Sequence, residues 1–343
     1  MTMGNLVSVH AVVNPRPLRY RPAPLVCGGI YLDRGRALAR YLVTGGAGFI
    51  GSHLVDALLA RGDEVVVLDD LSTGRRSNLP PGVRLIEADV ADAAAVKAAI
   101  DGADGCFHLA AIASVLRSNE DWLGTHRANL TGSITVFDAA RRARNGTPIP
   151  VVYASSAAVY GDCQELPLAE TAPTRPLTAY GADKLGSELH ARVAGVVHGV
   201  PTTGMRFFNI YGPRQDPKSP YSGVISVFAE CVLTGRRIGI HGDGGQTRDF
   251  IFVADVVDHL VAAMSTSTPE ARVFNVCTGK ATSILHLART MMKAAGHTFE
   301  IRHGPARAGD IRASIGDPSR AIAGLGLRAS TSLPDGLCAL LVV

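Results

Sequence analysis

Tyr180 and Lys184 stand four residues apart in Tyr180-Gly-Ala-Asp-Lys184, a spacing that sets a phenol and an ammonium on one face of a helix. A free phenol, with a pKa near ~10, is a poor base at neutral pH, whereas a nearby ammonium favours the phenolate and opens proton exchange with a substrate hydroxyl. Upstream, Tyr153-Ala-Ser155-Ser156-Ala-Ala-Val-Tyr160-Gly161 closes an apolar run and supplies hydroxyls. Further upstream, Gly45-Gly-Ala-Gly48-Phe49-Ile50-Gly51 spaces three glycines at three-residue intervals. Alone, each has a plain explanation: a solvated helix face, serines capping a turn, a tight turn packing helix on strand. In this order along one chain they form a combined signal for a cofactor-assisted site.

The surrounding pattern supplies the frame. Leu42-Val43 runs into the glycine turn, and apolar residues at 50, 54, 55, 58 and 59 mark one buried helix face closed by Gly62. Glu64 to Leu68 is a continuous apolar strand, and similar runs follow at 83–86, 105–109, 149–153 and 203–208, separated by Ala-rich helical stretches. This alternation predicts an α/β fold: a Rossmann-type, doubly wound parallel sheet covered on both faces. After Asn209 the composition shifts to Pro, Gly and charge, which suits a smaller, discontinuous C-terminal substrate lobe. The expected division is a Rossmann domain over 41–209 plus about 250–278, and a lobe over about 210–249 plus 279–343.

A glycine turn between a strand and a helix lets backbone N–H groups and the helix dipole meet a pyrophosphate, with no Cβ in the way. Eighteen residues after Gly51, Asp69 and Asp70 end the second strand, where a dinucleotide fold puts a carboxylate on the adenosine ribose. A carboxylate repels a 2′-phosphate, and Arg75 and Arg76 lie beyond the loop Leu71–Gly74, so NAD is expected rather than NADP. Asp89, with Val90, is placed to meet adenine, or equally to cap a surface helix.

Thr44-Gly-Gly-Ala-Gly-Phe-Ile-Gly51, His108-Leu-Ala-Ala111, the Ser156 strand, Tyr180-x-x-x-Lys184 and Arg206-Phe-Phe-Asn209-x-Tyr-Gly-Pro213 together resemble the extended short-chain dehydrogenases from about 41 to 330. Within them the chain looks most like UDP-hexose and UDP-N-acetylhexosamine 4-epimerases of the NAD-dependent epimerase/dehydratase family. The resemblance implies Tyr180 as base and acid, Lys184 on the nicotinamide ribose and Ser156 on the sugar O4. It further implies Leu109, Ala110, Ala111 and Asn129 beside the cofactor, Asn209 and Arg248 on the substrate phosphates, and Arg307 with Asp310 around the nucleotide. Arg248 beside Asp249, and Arg307, are equally readable as surface ion pairs. Ser314 falls where the family carries Tyr in enzymes restricted to plain hexoses and a small residue in those admitting an N-acetyl group. Dehydratases of the family carry Thr-Asp-Glu where this chain has Ser156-Ala-Ala158, so dehydration is disfavoured.

The reaction so implied is removal of the O4 proton by Tyr180 with hydride loss from C4 to NAD, rotation of the 4-keto sugar and return of the hydride to its other face. The expected substrate pair is UDP-GlcNAc/UDP-GalNAc, with UDP-Glc/UDP-Gal as a further pair. Rival readings are a UDP-glucuronate epimerase or decarboxylase, a plain alcohol dehydrogenase and a binding protein without turnover; intact Ser156, Tyr180 and Lys184 argue against the last.

The chain has 343 residues, 47% hydrophobic and 19% charged, enough to bury a full core. Its net charge of +4 arises from six Arg and one Asp among residues 1–40, leaving the rest at −1. With no basic face, a nucleic-acid partner is not expected. No apolar run reaches the roughly 18 residues of a membrane span, and a cytoplasmic protein is expected. Six cysteines show no metal-ligand spacing, so reduced thiols and no metal are expected. The Pro- and Arg-rich residues 1–40 look like no folded element: an upstream extension or a transit peptide. Family likeness suggests a homodimer through helices near 119–144 and 180–197. The final stretch from Cys338 is expected to end abruptly where a last amphipathic helix would stand.

Overall fold

The computed structural model describes residues 38–216, 223–306 and 311–341; the N-terminal extension up to residue 37, together with Arg307 and Asp310, lies outside the described residues. The first half alternates strand and helix: β1 (Arg40–Thr44), α1 (Phe49–Ala60), β2 (Glu64–Asp69), β3 (Arg84–Glu87), α2 (Ala93–Ile100) and β4 (Gly105–His108). Two short helices follow, α3 (Val115–Glu120) and α4 (Trp122–His126), then a π-helical turn at Arg127–Thr131 and α5 (Gly132–Ala140). The chain next forms β5 (Val151–Ser156), the long α6 (Ala179–His198) and β6 (Thr202–Phe207). Thr178 caps α6 by accepting the Gly181 N–H, and Gly199 ends it in the left-handed region.

Beyond β6 the elements shorten: β7 (Asn209–Tyr211), α7 (Val224–Leu233), β8 (Ile238–His241), β9 (Thr247–Arg248) and β10 (Phe250–Phe252). Then come α8 (Val253–Thr266), β11 (Arg272–Val276), β12 (Thr282–Ser283), α9 (Ile284–Ala295), β13 (Ile301–Gly304), β14 (Ala313–Ser314), α10 (Ser319–Leu325) and α11 (Leu333–Leu341).

Seven strands make one sheet in the order β11-β6-β5-β4-β1-β2-β3, with every pair parallel. The chain winds outward from β1 to β3, then crosses over β1 to β4 and winds the other way, a doubly wound topology in which the crevice opens at the carboxyl ends of β1 and β4. The sheet is buried on both faces because its strands are apolar at consecutive positions. Val43, Val65, Val67, Phe107 and Val152 pack with α1 and α8, while Leu42, Val66, Leu68, Cys106 and Val151 pack with α2, α5 and α6.

A separate core gathers Tyr211, Phe228, Ile238, Ile240, Leu287 and Leu337 from the short second-half elements. The abrupt apolar ending expected of the C-terminus is not what forms. Leu333–Leu341 is a helix packed against α9, with Leu337 fully buried and Gly336 lying under the Tyr211 ring, where a Cβ would come within 2.2 Å of the hydroxyl. The buried residues of that helix are Gly336 and Leu337, while Cys338 is exposed.

One ionic cluster sits inside. Arg206 on β6 forms a bidentate pair with Glu188 on α6 (2.9 and 2.7 Å), Glu188 also accepts from Ser155 at 2.5 Å, and Arg206 reaches the Tyr160 hydroxyl at 2.9 Å. Both partners of the pair are under one-tenth exposed. The cluster joins α6 to β6 and to the end of β5, next to Ser156. Truncating one partner leaves the other charged and buried. Glu188→Ala should therefore cost about 3–5 kcal/mol of stability, read as a lowered urea midpoint, whereas a loss under about 1 kcal/mol would show the pair to be solvated.

Candidate active site

The glycine turn is shaped by two close approaches. Gly45, at φ +69°, lies against the chain after β4, so that a Cβ would meet the Ala110 nitrogen at 2.7 Å. A Cβ on Gly51 would fall 2.1 Å from the Gly45 carbonyl oxygen. Gly48 precedes α1 with no side-chain cap, leaving the first-turn N–H groups of Phe49 and Ile50 without the usual capping oxygen. Asp69 is buried and supports this turn: its oxygens accept from Ala47 N–H and Leu71 N–H, both at 2.9 Å, and burial holds its carboxyl above the usual range. Asp70 is exposed and accepts from Ser72. Arg75 and Arg76 are engaged by Asp216 and Glu87 rather than turned over as a phosphate site. Asp89 accepts from Ala91 N–H and pairs with Arg127 at 3.0 Å, and the neighbouring Val90 is buried.

After β4, Leu109, Ala110 and Ala111 are held from two sides. Thr44 Oγ1 accepts from Ala110 N–H at 3.2 Å, and the buried Asn129 both accepts from Ile112 N–H (2.8 Å) and donates to its carbonyl (3.2 Å). Asn129 lies in the π-helical turn, a distortion frequent at functional sites. A buried chain of hydrogen bonds runs on from Thr44 through His108 and Ser133 to Ser187 on α6. Burial and the Lys184 charge keep His108 neutral, its pKa driven down to about 3.

At the carboxyl end of β5 the three candidate groups converge. Tyr180 stands near the Ser156 hydroxyl, and Ser156 Oγ accepts from Ala158 N–H at 3.1 Å. Lys184 is 2% exposed; its Nζ donates to the Ala154 carbonyl at 2.9 Å and lies 5.9 Å from the centre of the Tyr180 ring. Burial pulls the Lys184 pKa down to about 8, with Asp183 opposing, and burial pushes the Tyr180 phenol up, with Ser156 opposing.

A cavity of about 270 Å³ opens among the short strands, lined by Asn209, His241, Gln246 and Arg248 together with the apolar Val227 and Ile284. Arg248 does not pair with Asp249. Asp249 is fully buried and accepts from Thr278 and Gly279, while Arg248 donates to the Thr247 carbonyl at 2.8 Å. Parallel pairing of β14 with β9 sets Ser314 opposite Arg248. Among the described residues no cluster of three or more His, Cys, Asp or Glu has a geometry to hold a metal, and no helix is long and apolar enough to cross a membrane.

The model of the NAD dependent epimerase/dehydratase family matches residues 41–277. The chain belongs to this family. A UDP-glucose 4-epimerase of Mycolicibacterium smegmatis is 39% identical over 304 residues, 87% of this chain and 96% of the relative. Among solved structures, a UDP-glucose 4-epimerase of Thermotoga maritima with UDP-glucose superposes with a TM-score of 0.84 at 33% identity, covering 88% of this chain and 97% of that one. A UDP-N-acetylglucosamine 4-epimerase of Methanobrevibacter ruminantium, in complex with UDP-N-acetylmuramic acid, gives a TM-score of 0.84 at 32% identity, over 89% and 98% of the two chains.

As a member of this family the protein is an NAD-dependent isomerase, and its own cradle fits the cofactor: an uncapped helix start, and glycines where any Cβ would strike backbone. Four features of the site were not expected from the sequence. They are the Thr44–His108–Ser133–Ser187 chain, the bracing of the glycine turn by Asp69, the pairing of His126 with Asp183, and the His241 and Gln246 lining. The His in His108-Leu-Ala-Ala111 was the one local signal for the first of these. Gly51→Ala should abolish NAD retention, lowering affinity at least about 100-fold as the helix start is displaced. The readout is bound nucleotide per purified chain; full retention would show that the turn is not the cradle.

Proposed function

We propose that the protein is a UDP-sugar 4-epimerase that accepts UDP-GlcNAc/UDP-GalNAc, and UDP-Glc/UDP-Gal beside them. The observation that carries this reading is the junction of Ser156, Tyr180 and Lys184 at the carboxyl end of β5, with a buried ammonium 5.9 Å from the centre of the phenol ring and a serine hydroxyl near that phenol. NAD, when bound, supplies a reversible hydride acceptor for C4 of the sugar. Tyr180 takes the proton from O4 and later returns it, and Ser156 holds that oxygen through hydrogen bonding. Lys184 remains an ammonium at neutral pH, because its pKa lies at about 8, and its charge lowers the cost of the Tyr180 phenolate against the burial that raises it.

In this reading Gly45, Gly48, Phe49, Ile50 and Gly51 hold the cofactor pyrophosphate, Asp69 and Asp70 its adenosine ribose, and Asp89 and Val90 its adenine. Leu109, Ala110, Ala111 and Asn129 shape the rest of the cofactor crevice. Asn209 and Arg248 grip the substrate diphosphate, a guanidinium being suited to phosphate. Arg307 and Asp310 complete the nucleotide site, and Ser314 leaves room for an N-acetyl group. Binding energy is then concentrated on the nucleotide, which does not react, and the keto sugar is free to turn. The division into a cofactor domain and a discontinuous nucleotide-sugar lobe follows the same logic.

The assembly proposed is a homodimer. Leu189, Val193, Val196 and Val197 form an exposed apolar stripe along α6, and Trp122 and Leu123 are exposed on α4. A reducing, cytoplasmic setting suits the five described cysteines, all free thiols.

The test is product analysis by NMR after incubation with UDP-GlcNAc, UDP-glucose and UDP-glucuronate without added NAD. The C4 epimer should form with the wild type, and Tyr180→Phe should lower kcat by about 10²–10⁴-fold with the fold intact. Unchanged substrate in every tube, with NAD bound and the protein folded, would defeat the reading.

A further inference from the structure

Residues 213–216, just after β7, form a short strap that is tied down at every position. Towards the cofactor side, His53 on α1 donates from Nε2 to the Pro213 carbonyl at 2.9 Å, Arg214 donates to Asp56 on α1 at 2.6 Å, and Asp216 pairs with Arg75 at 2.6 Å. Towards the second-half elements, Gln215 accepts from the Ser226 hydroxyl on α7 at 2.6 Å, and its amide donates to the Ile210 carbonyl at 3.4 Å. Arg214 adopts φ +67°, a left-handed conformation that is strained for a residue with a Cβ and persists where surrounding contacts enforce it.

The cofactor-side anchors belong to the glycine turn. Phe49, His53 and Asp56 share one face of α1, at spacings of four and three residues, and the Phe49 and His53 rings meet edge to face with centres 6.0 Å apart. Phe49 is the first residue of the helix whose uncapped start forms the cradle. Arg75 is fixed to the same turn from the loop after β2: its N–H donates to the Ala47 carbonyl at 3.0 Å, and a Cβ on the neighbouring Gly74 would lie 3.1 Å from the Ala47 carbonyl carbon. The strap therefore bridges the two elements that flank the turn, and Gln215 fastens it to α7, whose Val227 lines the cavity with Asn209.

The three anchors do not weigh equally. The side chains of Arg75 and Asp216 are 61% and 38% exposed, so that pair contributes little. Arg214 and Asp56 are 33% and 24% exposed, and burial holds the His53 pKa below its usual value, so that the ring meets the Pro213 carbonyl as a neutral donor.

We propose that Arg214 is a positioning residue for the cofactor: by pinning the strap to Asp56 it fixes α1, and with it the pyrophosphate cradle, against the cavity wall, and so slows the release of NAD. In the epimerase reading the hydride must return from the cofactor that took it, so slow release is a condition of turnover; the inference rests on that reading for this meaning alone.

The experiment follows bound NAD per chain in the holoenzyme through timed dialysis, beside the urea midpoint of each variant. Asp56→Ala, Arg214→Ala and His53→Leu should each shorten the half-life of bound NAD by about fivefold. The double variant Asp56→Ala/Arg214→Ala should lose NAD no faster than the faster single variant, because both remove one pair. Arg214→Lys, which keeps the charge, should stay within about twofold of the wild type. Arg214→Gly separates positioning from stability. Glycine adopts this φ without strain, so its urea midpoint should lie above that of Arg214→Ala while NAD is lost just as fast. An NAD half-life that tracks the urea midpoint across the set, or one unchanged in Asp56→Ala, overturns the inference. No sugar nucleotide enters the measurement, so a protein that converts no UDP-sugar defeats the epimerase reading and leaves this one to be judged by its bound NAD.

Discussion

The Lys184 ammonium is buried in the fold, and its hydrogen bond to the Ala154 carbonyl fastens α6 to the strand that ends in Ser156. A buried cation of this kind is tolerable only where backbone and charge surround it, and the neighbouring elements are arranged to do so. Ser155 and Glu188, one residue before Ser156 and one helical turn beyond Lys184, are joined to each other and to Arg206. The sheet therefore presents Tyr180 to the crevice through two buried attachments on the same helix, and the proton chemistry proposed for Tyr180 needs that fixed distance more than it needs any single contact.

The cofactor side obeys a steric constraint instead of an electrostatic one. Gly45 and Gly51 allow the turn after β1, the loop after β4 and the start of α1 to approach more closely than any side chain permits. Thr44, His108 and Ser133 then carry this rigid corner across the sheet to Ser187 on the same helix as Tyr180. The neutral state of His108 is part of the arrangement, since a charged ring there would face the Lys184 ammonium. The corner at the glycine turn and the helix that carries Tyr180 are thus joined by one buried polar path.

Much of this was legible in the sequence because the chemistry demands fixed local spacing. Glycines three apart, a Tyr and Lys one helical turn apart, and the consecutive apolar residues of β2 each declare an element and its use within a few positions. The parallel sheet followed from their alternation. What was hidden is contact between distant positions: His126 with Asp183, Arg206 with Glu188, and Asn129 with the Ile112 backbone leave no periodic trace. Helix α11 was misjudged for a related reason. Its apolar end looks like an unfinished helix until Tyr211 and the α9 core are in place to receive Leu337. Asp249 shows the same effect at the site, where a sequence neighbour of Arg248 turns instead to backbone N–H groups thirty residues away.

The central claim is that C4 is inverted by loss and return of its own hydrogen within the closed site, with Tyr180 handling only the hydroxyl proton. Incubation with UDP-GlcNAc in D₂O, followed by proton NMR of the recovered epimers, measures this directly. The account predicts that the C4 epimer forms with its C4 position still fully protonated. Deuterium at C4 would show exchange with solvent and contradict it.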